Sequence, residues 1–308
     1  MIDLDVHTHL APIAAQRLLG LAGVRWDEAA QALTLDGHAV RMADLFQPQR
    51  LIEWMDKYSV RRAWVSIPPP LYRQGLGAAD ALAWCAYVNE ELLKVTQASG
   101  GRLQALYYLP LEHPSLLPAL QARYDANACA GVAVAAGGHP DIVMDDARYE
   151  PLWRWLDGQG ASVFVHPGTC CDPRLARHYL ENLIGNPIET GVAAAHLVMA
   201  GVPGRFPRIR FVLAHAGGAF PMLCGRLQRG FETRRPGVDP GVEWPLQAAR
   251  RFWADGIAHH PAALDAARAV FGADHVMFGS DWPFPMGTTP EASTTGAGQA
   301  ENGASAPR

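Results

Sequence analysis

The sequence predicts an α/β protein of the (β/α)8, or TIM, barrel class, and two observations carry that prediction. Runs rich in β-branched and aromatic residues recur eight times along the 308 residues, at 2–7, 62–67, 103–109, 131–135, 162–166, 209–215, 251–256 and 275–279. Between them lie longer stretches with helical periodicity, among them 48–59, 78–98, 114–127, 148–158, 187–201 and 261–271. Strands that alternate with helices pair in parallel, and eight such units close into a barrel. An open doubly wound sheet would share the alternation but should carry a phosphate-binding loop. Neither G-x-G-x-x-G nor a Gly-Lys pair occurs in the chain, so the closed barrel is preferred.

The two ends of the chain depart from this rhythm. After the first strand, residues 20–47 read as a small insertion, with a hairpin expected at LTLDGHAV where Asp36-Gly37 supplies the turn. After the last strand, residues 288–308 lack apolar periodicity and are rich in Gly, Ser, Thr and Ala. That composition predicts a disordered tail. The barrel, residues 1–287, then ends without the helix that normally covers its last strand, an incomplete C-terminal end.

Composition narrows the function. Hydrophobic residues make up 49% and charged residues 18%, as in a compact enzyme with a large core. The net charge of −4 and the lack of a basic tract argue against nucleic acid or an anionic membrane as partner. Five cysteines without C-x-x-C spacing indicate neither a disulfide framework nor a structural zinc site. The chain enters a strand at once, and no apolar run approaches the ~20 residues of a membrane span. A reducing, cytoplasmic location is therefore expected.

In such a barrel the chemistry sits at the C-terminal ends of the strands. The first strand ends in His7 and His9, the fifth in His166 (VFVHPG), the sixth in His215 (VLAHAGG), and the eighth runs into Asp281 (GSDWPF). An H-x-H pair alone is a weak signal in a chain with 12 histidines and could be two polar residues at a strand end. Polar groups at the buried ends of four apolar strands are another matter, because each is costly unless satisfied and one metal ion satisfies several. Histidines with a carboxylate suit one divalent ion, Zn2+ first, with Mn2+ and Fe2+ consistent with the same ligand types. A second ion would call for a lysine on a strand, and the only lysines, Lys57 and Lys94, fall in helical stretches.

HTH, FVHP, AHAGGAFP and GSDWPFP together resemble the amidohydrolase superfamily, in its branch of metal-dependent non-oxidative decarboxylases. GRLQRGFETR and DGIAHHP are more specific to that branch, and the resemblance runs from residue 1 to about 287. It implies that His7, His9, His166 and Asp281 ligate the metal and that His215 is the general base. It implies that Arg41 holds a substrate carboxylate and that Arg226 and Arg234 occupy two further substrate-binding arginine positions. Arg226 would reach into a neighbouring subunit, which makes the expected enzyme a homodimer. The implied reaction is decarboxylation of an unsaturated or aromatic carboxylic acid, a small-molecule partner. The rivals are a hydrolase or hydratase of the same superfamily acting on a lactone, amide or unsaturated diacid, and a non-catalytic binder. Gly168 and Asn182 stand where the branch carries aromatic residues, which reshapes the expected pocket. His259, after the seventh strand, is a further candidate for the site, whereas Cys170 and Cys171 are assigned to packing.

Overall fold

The computed structural model describes residues 1–295. Its main sheet has eight parallel strands, β1 (Ile2–His9), β5 (Val60–Ser66), β6 (Leu103–Leu109), β7 (Cys129–Ala135), β8 (Ser162–His166), β9 (Arg210–Leu213), β10 (Trp253–Asp255) and β11 (Val276–Met277), each beside the next in that order. The expected (β/α)8 barrel is therefore present. It closes where β1 meets the segment after β11. Val6 N–H donates to Phe278 O (3.0 Å), Asp281 N–H to His7 O (2.8 Å) and His9 N–H to Trp282 O (2.9 Å).

Val6, Trp64, Leu106, Ala133, Phe164, Val212 and Ala214 fill the barrel interior. The helices, such as Ala78–Gln97 and Asn186–Met199, bury their apolar faces against its outside. Strict alternation along β1 would put Val6 and His7 on opposite faces. The register with β5 shifts between Asp5 and Thr8, and such an irregularity re-aims the side chains beyond it. Asp5 Oδ1 holds this stretch by accepting from His7 N–H (3.0 Å) and Ser280 N–H (3.0 Å). Val6 can thus pack in the core while His7 and His9 face the catalytic end.

The insertion is a three-stranded antiparallel sheet of β2 (Val24–Asp27), β3 (Ala32–Leu35) and β4 (His38–Val40). The expected β3–β4 turn forms, with Asp36 and Gly37 both at positive φ (50° and 87°), as a two-residue I′ turn requires. β2 was not evident from the sequence. Arg73 clamps this sheet to the barrel: its nearly buried guanidinium donates to both Asp36 oxygens and Ala22 O and stacks on Trp84 at 4.8 Å.

The tail expectation needs correction in part. Pro290–Thr295 form a short helix. Pro290 suits the first helical position and Glu291 the first turn, and Thr289 Oγ1 accepts from Ala292 N–H (3.4 Å). This local start signal outweighs the weak composition. The segment before it is also tied down, with Thr288 N–H donating to Ser280 O (2.8 Å). The rest of the expected disordered tail, 296–308, lies outside the described residues. Among the described residues no helix is long and apolar enough to cross a membrane.

Arg73→Ala should reduce unfolding free energy by about 1–2 kcal/mol, the scale of charged hydrogen bonds at a partly exposed site. It should also speed proteolysis within residues 20–42. A urea midpoint and cleavage rate equal to the parent chain's would show that the insertion holds without the clamp.

Candidate functional site

The strand ends bring together what the sequence placed there. His7, His9, His166 and Asp281 are all buried, and one ligand atom from each lies within 4.8 Å of the others. His7 Nε2 is 3.0 Å from His9 Nε2, and Asp281 Oδ1 is 3.3 Å and 3.2 Å from these two nitrogens. The imidazoles pack edge to face, with ring centroids of His7, His9 and His166 4.9–5.0 Å apart.

The outer ring nitrogens decide what the inner ones can do. His7 Nδ1 donates to Asp255 Oδ2 (2.6 Å) and His166 Nδ1 to Pro167 O (2.7 Å), since a carboxylate and a carbonyl only accept. His9 Nδ1 lies 3.0 Å from Ser66 Oγ, whose own proton can go to Thr8 O (3.4 Å). With the Nδ1 protons committed outward, neutral rings turn Nε2 lone pairs toward one another and toward Asp281. His166 Nε2 is buried without a partner. Lone pairs and a carboxylate converging in a dry space require a positive charge among them. The residues therefore fit one metal ion, in the donor set and outer-nitrogen arrangement usual for histidine ligands.

The titration behaviour agrees. Burial holds His166 well below and His9 below the usual histidine range, so both are neutral donors. Burial would lower His7 too, but the Asp281 charge and the Asp255 hydrogen bond raise it to about 10. In the metal-free chain a proton on His7 thus supplies the missing positive charge. Burial pushes Asp281 up, yet the charge on His7 and the imidazoles of His215, His7 and His9 around it bring it well below the usual carboxylate range.

His215 stands beside this cluster, its Nε2 3.9 Å from Asp281 Oδ2 and its ring centroid 5.2 Å from those of His7 and His166. Its Nδ1 is buried without a partner. His215, Ala216 and Asp281 all adopt positive φ (55°, 54° and 57°), conformations that cost about 1–2 kcal/mol per residue. Strain of this kind persists only where surrounding contacts impose it. Asp255 supplies such contacts to the His215 turn, and sequence reasoning missed it. Its signal was an acidic residue in an otherwise apolar, aromatic strand, at the catalytic end of β10.

His166, Asp281 and His215 lie at the floor of a cavity of about 730 Å³, walled by apolar groups including Pro69, Ile257, Phe284 and Met286, with Thr169, Glu181, Asn182, Asn186 and His259 as polar points. Gly168 and Asn182 both line it. A Cβ on Gly168 would lie 2.8 Å from Gln74 Oε1 and 3.1 Å from the Tyr72 ring, so the Gly168 backbone rests directly on these side chains. Cys170 lines the cavity rather than packing away from it.

The arginines are not brought together with the cluster. No arginine or lysine lines the cavity among the described residues. Arg41 is exposed on the insertion, in a separate groove with Arg25 and Asp27. Arg226 is exposed on the helix Phe220–Glu232, and Arg234 is exposed just beyond it.

Comparison with known proteins places this geometry. An amidohydrolase family model matches residues 4–300. The chain belongs to the amidohydrolase family. Among amidohydrolase relatives it is 27% identical over 299 residues to 2-amino-3-carboxymuconate-6-semialdehyde decarboxylase of Dictyostelium discoideum, covering 93% of this chain and 83% of that protein. It is 31% identical over 293 residues to 6-methylsalicylic acid decarboxylase of Aspergillus aculeatus, covering 92% and 84%. The fold matches a dihydroxybenzoic acid decarboxylase of Polaromonas, solved with bound manganese and 2-nitroresorcinol, at TM-score 0.74 and 20% identity, covering 96% and 90%.

With His7 raised to about 10 by Asp281 and Asp255, metal uptake should release protons, and apparent affinity should fall as pH is lowered from about 10. Titration calorimetry of Zn2+ in buffers of different ionisation enthalpy measures this. Heats independent of the buffer would show that His7 Nε2 is already bare.

Proposed function

We propose that this amidohydrolase-family chain is a metal-dependent non-oxidative decarboxylase of an aromatic or unsaturated carboxylic acid. One observation supports this above others: three histidine Nε2 atoms and Asp281 converge beside His215 on the floor of an apolar cavity, in a chain whose relatives include decarboxylases of such acids. His7, His9, His166 and Asp281 would hold a single ion. Zn2+ is proposed first from the imidazole-rich donor set, and Mn2+, present in the structural neighbour, second. When bound, the ion supplies Lewis-acid stabilisation of negative charge on the substrate.

The chain's own residues account for the rest. The apolar walls take up a flat ring and exclude water. His215 carries the proton: it takes one as general base and delivers one to the carbon bearing the carboxylate. A C–H bond forms there, the C–C bond to the carboxylate breaks, its electron pair restores conjugation, and CO2 leaves. The net proton consumed comes from water. With no cation in the lining and Glu181 on its wall, a carboxylate within one chain is met favourably only by the metal, the histidines and neutral polar groups, which favours a monocarboxylic aromatic acid over a diacid. Arg41 is then proposed to act on the substrate only if the insertion folds toward the cavity.

A homodimer is part of the same proposal. Leu183, Ile184, Ile188, Val192, Met222 and Leu223 are exposed on the segment 181–199 and the helix Phe220–Glu232, which pack together. An exposed apolar surface of this kind marks an interface. Arg226 lies on that face and would enter the partner's site, with Arg234 near the same edge.

Purified protein loaded with Zn2+ or Mn2+ should release CO2 from members of a hydroxybenzoate and carboxymuconate semialdehyde panel. Hydrolysis of lactones or amides without CO2 release would overturn the reading. His215→Ala should keep its metal and lose activity by ~10² or more; full activity, or loss of the ion, would remove His215 from that role. Mixing inactive Arg226→Ala and His215→Ala chains should restore activity through hybrid dimers. No recovery, with subunit exchange demonstrated, would place Arg226 outside any shared site.

A further inference from the structure

We infer that Asp255 is a positioning residue that holds His7 and the turn bearing His215 in one frame. The inference rests on the reading of His7 as a metal ligand and His215 as the proton carrier. Asp255 is fully buried on β10, and its carboxylate accepts four hydrogen bonds, all from this region. Oδ2 accepts from His7 Nδ1 (2.6 Å) and His215 N–H (2.9 Å), and Oδ1 from Ala216 N–H (2.9 Å) and Ile257 N–H (3.0 Å).

Four donors occupy about the four lone-pair sites a carboxylate offers. Asp255 therefore has no capacity left for an ion or a substrate, and its effect must pass through its partners. On His7 it fixes the proton at Nδ1, which presents Nε2 to the cluster, and an anionic acceptor behind a ligating ring raises that ring's basicity. On the turn it collects two successive backbone N–H groups from His215 and Ala216, the residues held at φ 55° and 54°. Oδ2 serves His7 and His215 together, so a displacement of this one oxygen moves the ligand and the proton carrier in concert. Asp5, a further buried aspartate here, is built differently: it accepts backbone N–H groups from His7 and Ser280 and makes no hydrogen bond to an imidazole.

The test is Asp255→Asn in the full chain, with Zn2+ as the probe. The amide keeps the size of the side chain but puts a donor where an acceptor stood. The Zn2+ dissociation constant, measured by chelator competition, should rise roughly 10- to 100-fold. In Zn2+-loaded parent protein, NMR should show an exchange-protected, downfield Nδ1–H signal from His7 and slow amide exchange at His215 and Ala216. The variant should lose the first and speed the second. Should the variant not fold, the parent spectrum decides alone: a Zn2+-loaded chain without a protected His7 Nδ1–H overturns the inference. Parent affinity and spectrum retained in a folded variant overturn it while leaving the functional reading intact. A parent chain that binds neither Zn2+ nor Mn2+ overturns both together.

Discussion

Three imidazole nitrogens and a carboxylate buried within 4.8 Å of one another at the floor of a cavity call for a positive charge among them. Much of the local architecture exists to impose that crowding. The register shift in β1 turns His7 and His9 to the same side as Val6's core allows. Ser66, Pro167 and Asp255 take the outer ring protons, and Asp281 enters through a left-handed backbone conformation held by its N–H bond to His7 O. The price in strain and desolvation falls on the few residues that meet the ion, while the apolar barrel beneath them packs without polar compromise.

The barrel was legible because parallel strands and covering helices leave different periodicities, and all eight strands fall where β-branched runs occur. The metal cluster was legible because polar residues at the ends of apolar strands have few structural explanations. What escaped has equally physical reasons. Asp255 sits two strands from its partner His7 in the closed ring but 248 positions away in sequence, and no local pattern signals such a pairing. β2 carries too little apolar alternation to stand out from a loop. Thr289-Pro290-Glu291 opens a helix through capping chemistry, which composition counts do not register.

The arginines show a different limit. A family motif locates residues along the chain, whereas the distance from Arg226 to a cavity depends on which copies of the chain assemble. Within one chain the cavity is lined by apolar side chains, histidines, neutral polar groups and the carboxylates Glu181 and Asp281, with no arginine or lysine among the described residues. On the proposed reading, recognition of an acid would divide between a metal centre at the floor and whatever charge a second subunit brings to the rim.

The closure of the barrel has a consequence of its own. β11 is only two residues long, so the seam between the last and first strands rests on a handful of backbone hydrogen bonds. His7 and His9 lie on one lip of that seam and Asp281 on the other, with His166 reaching across from the opposite wall. An ion held by these four side chains would be a rivet through the join between the last and first strands. Binding only the closed form, it would add about 2.7 kcal/mol at a hundredfold excess over its dissociation constant. Metal loss and opening of the ring are then linked: a chain without its ion keeps the backbone bonds of the seam but loses that added stabilisation, and would open there more often to cellular proteases.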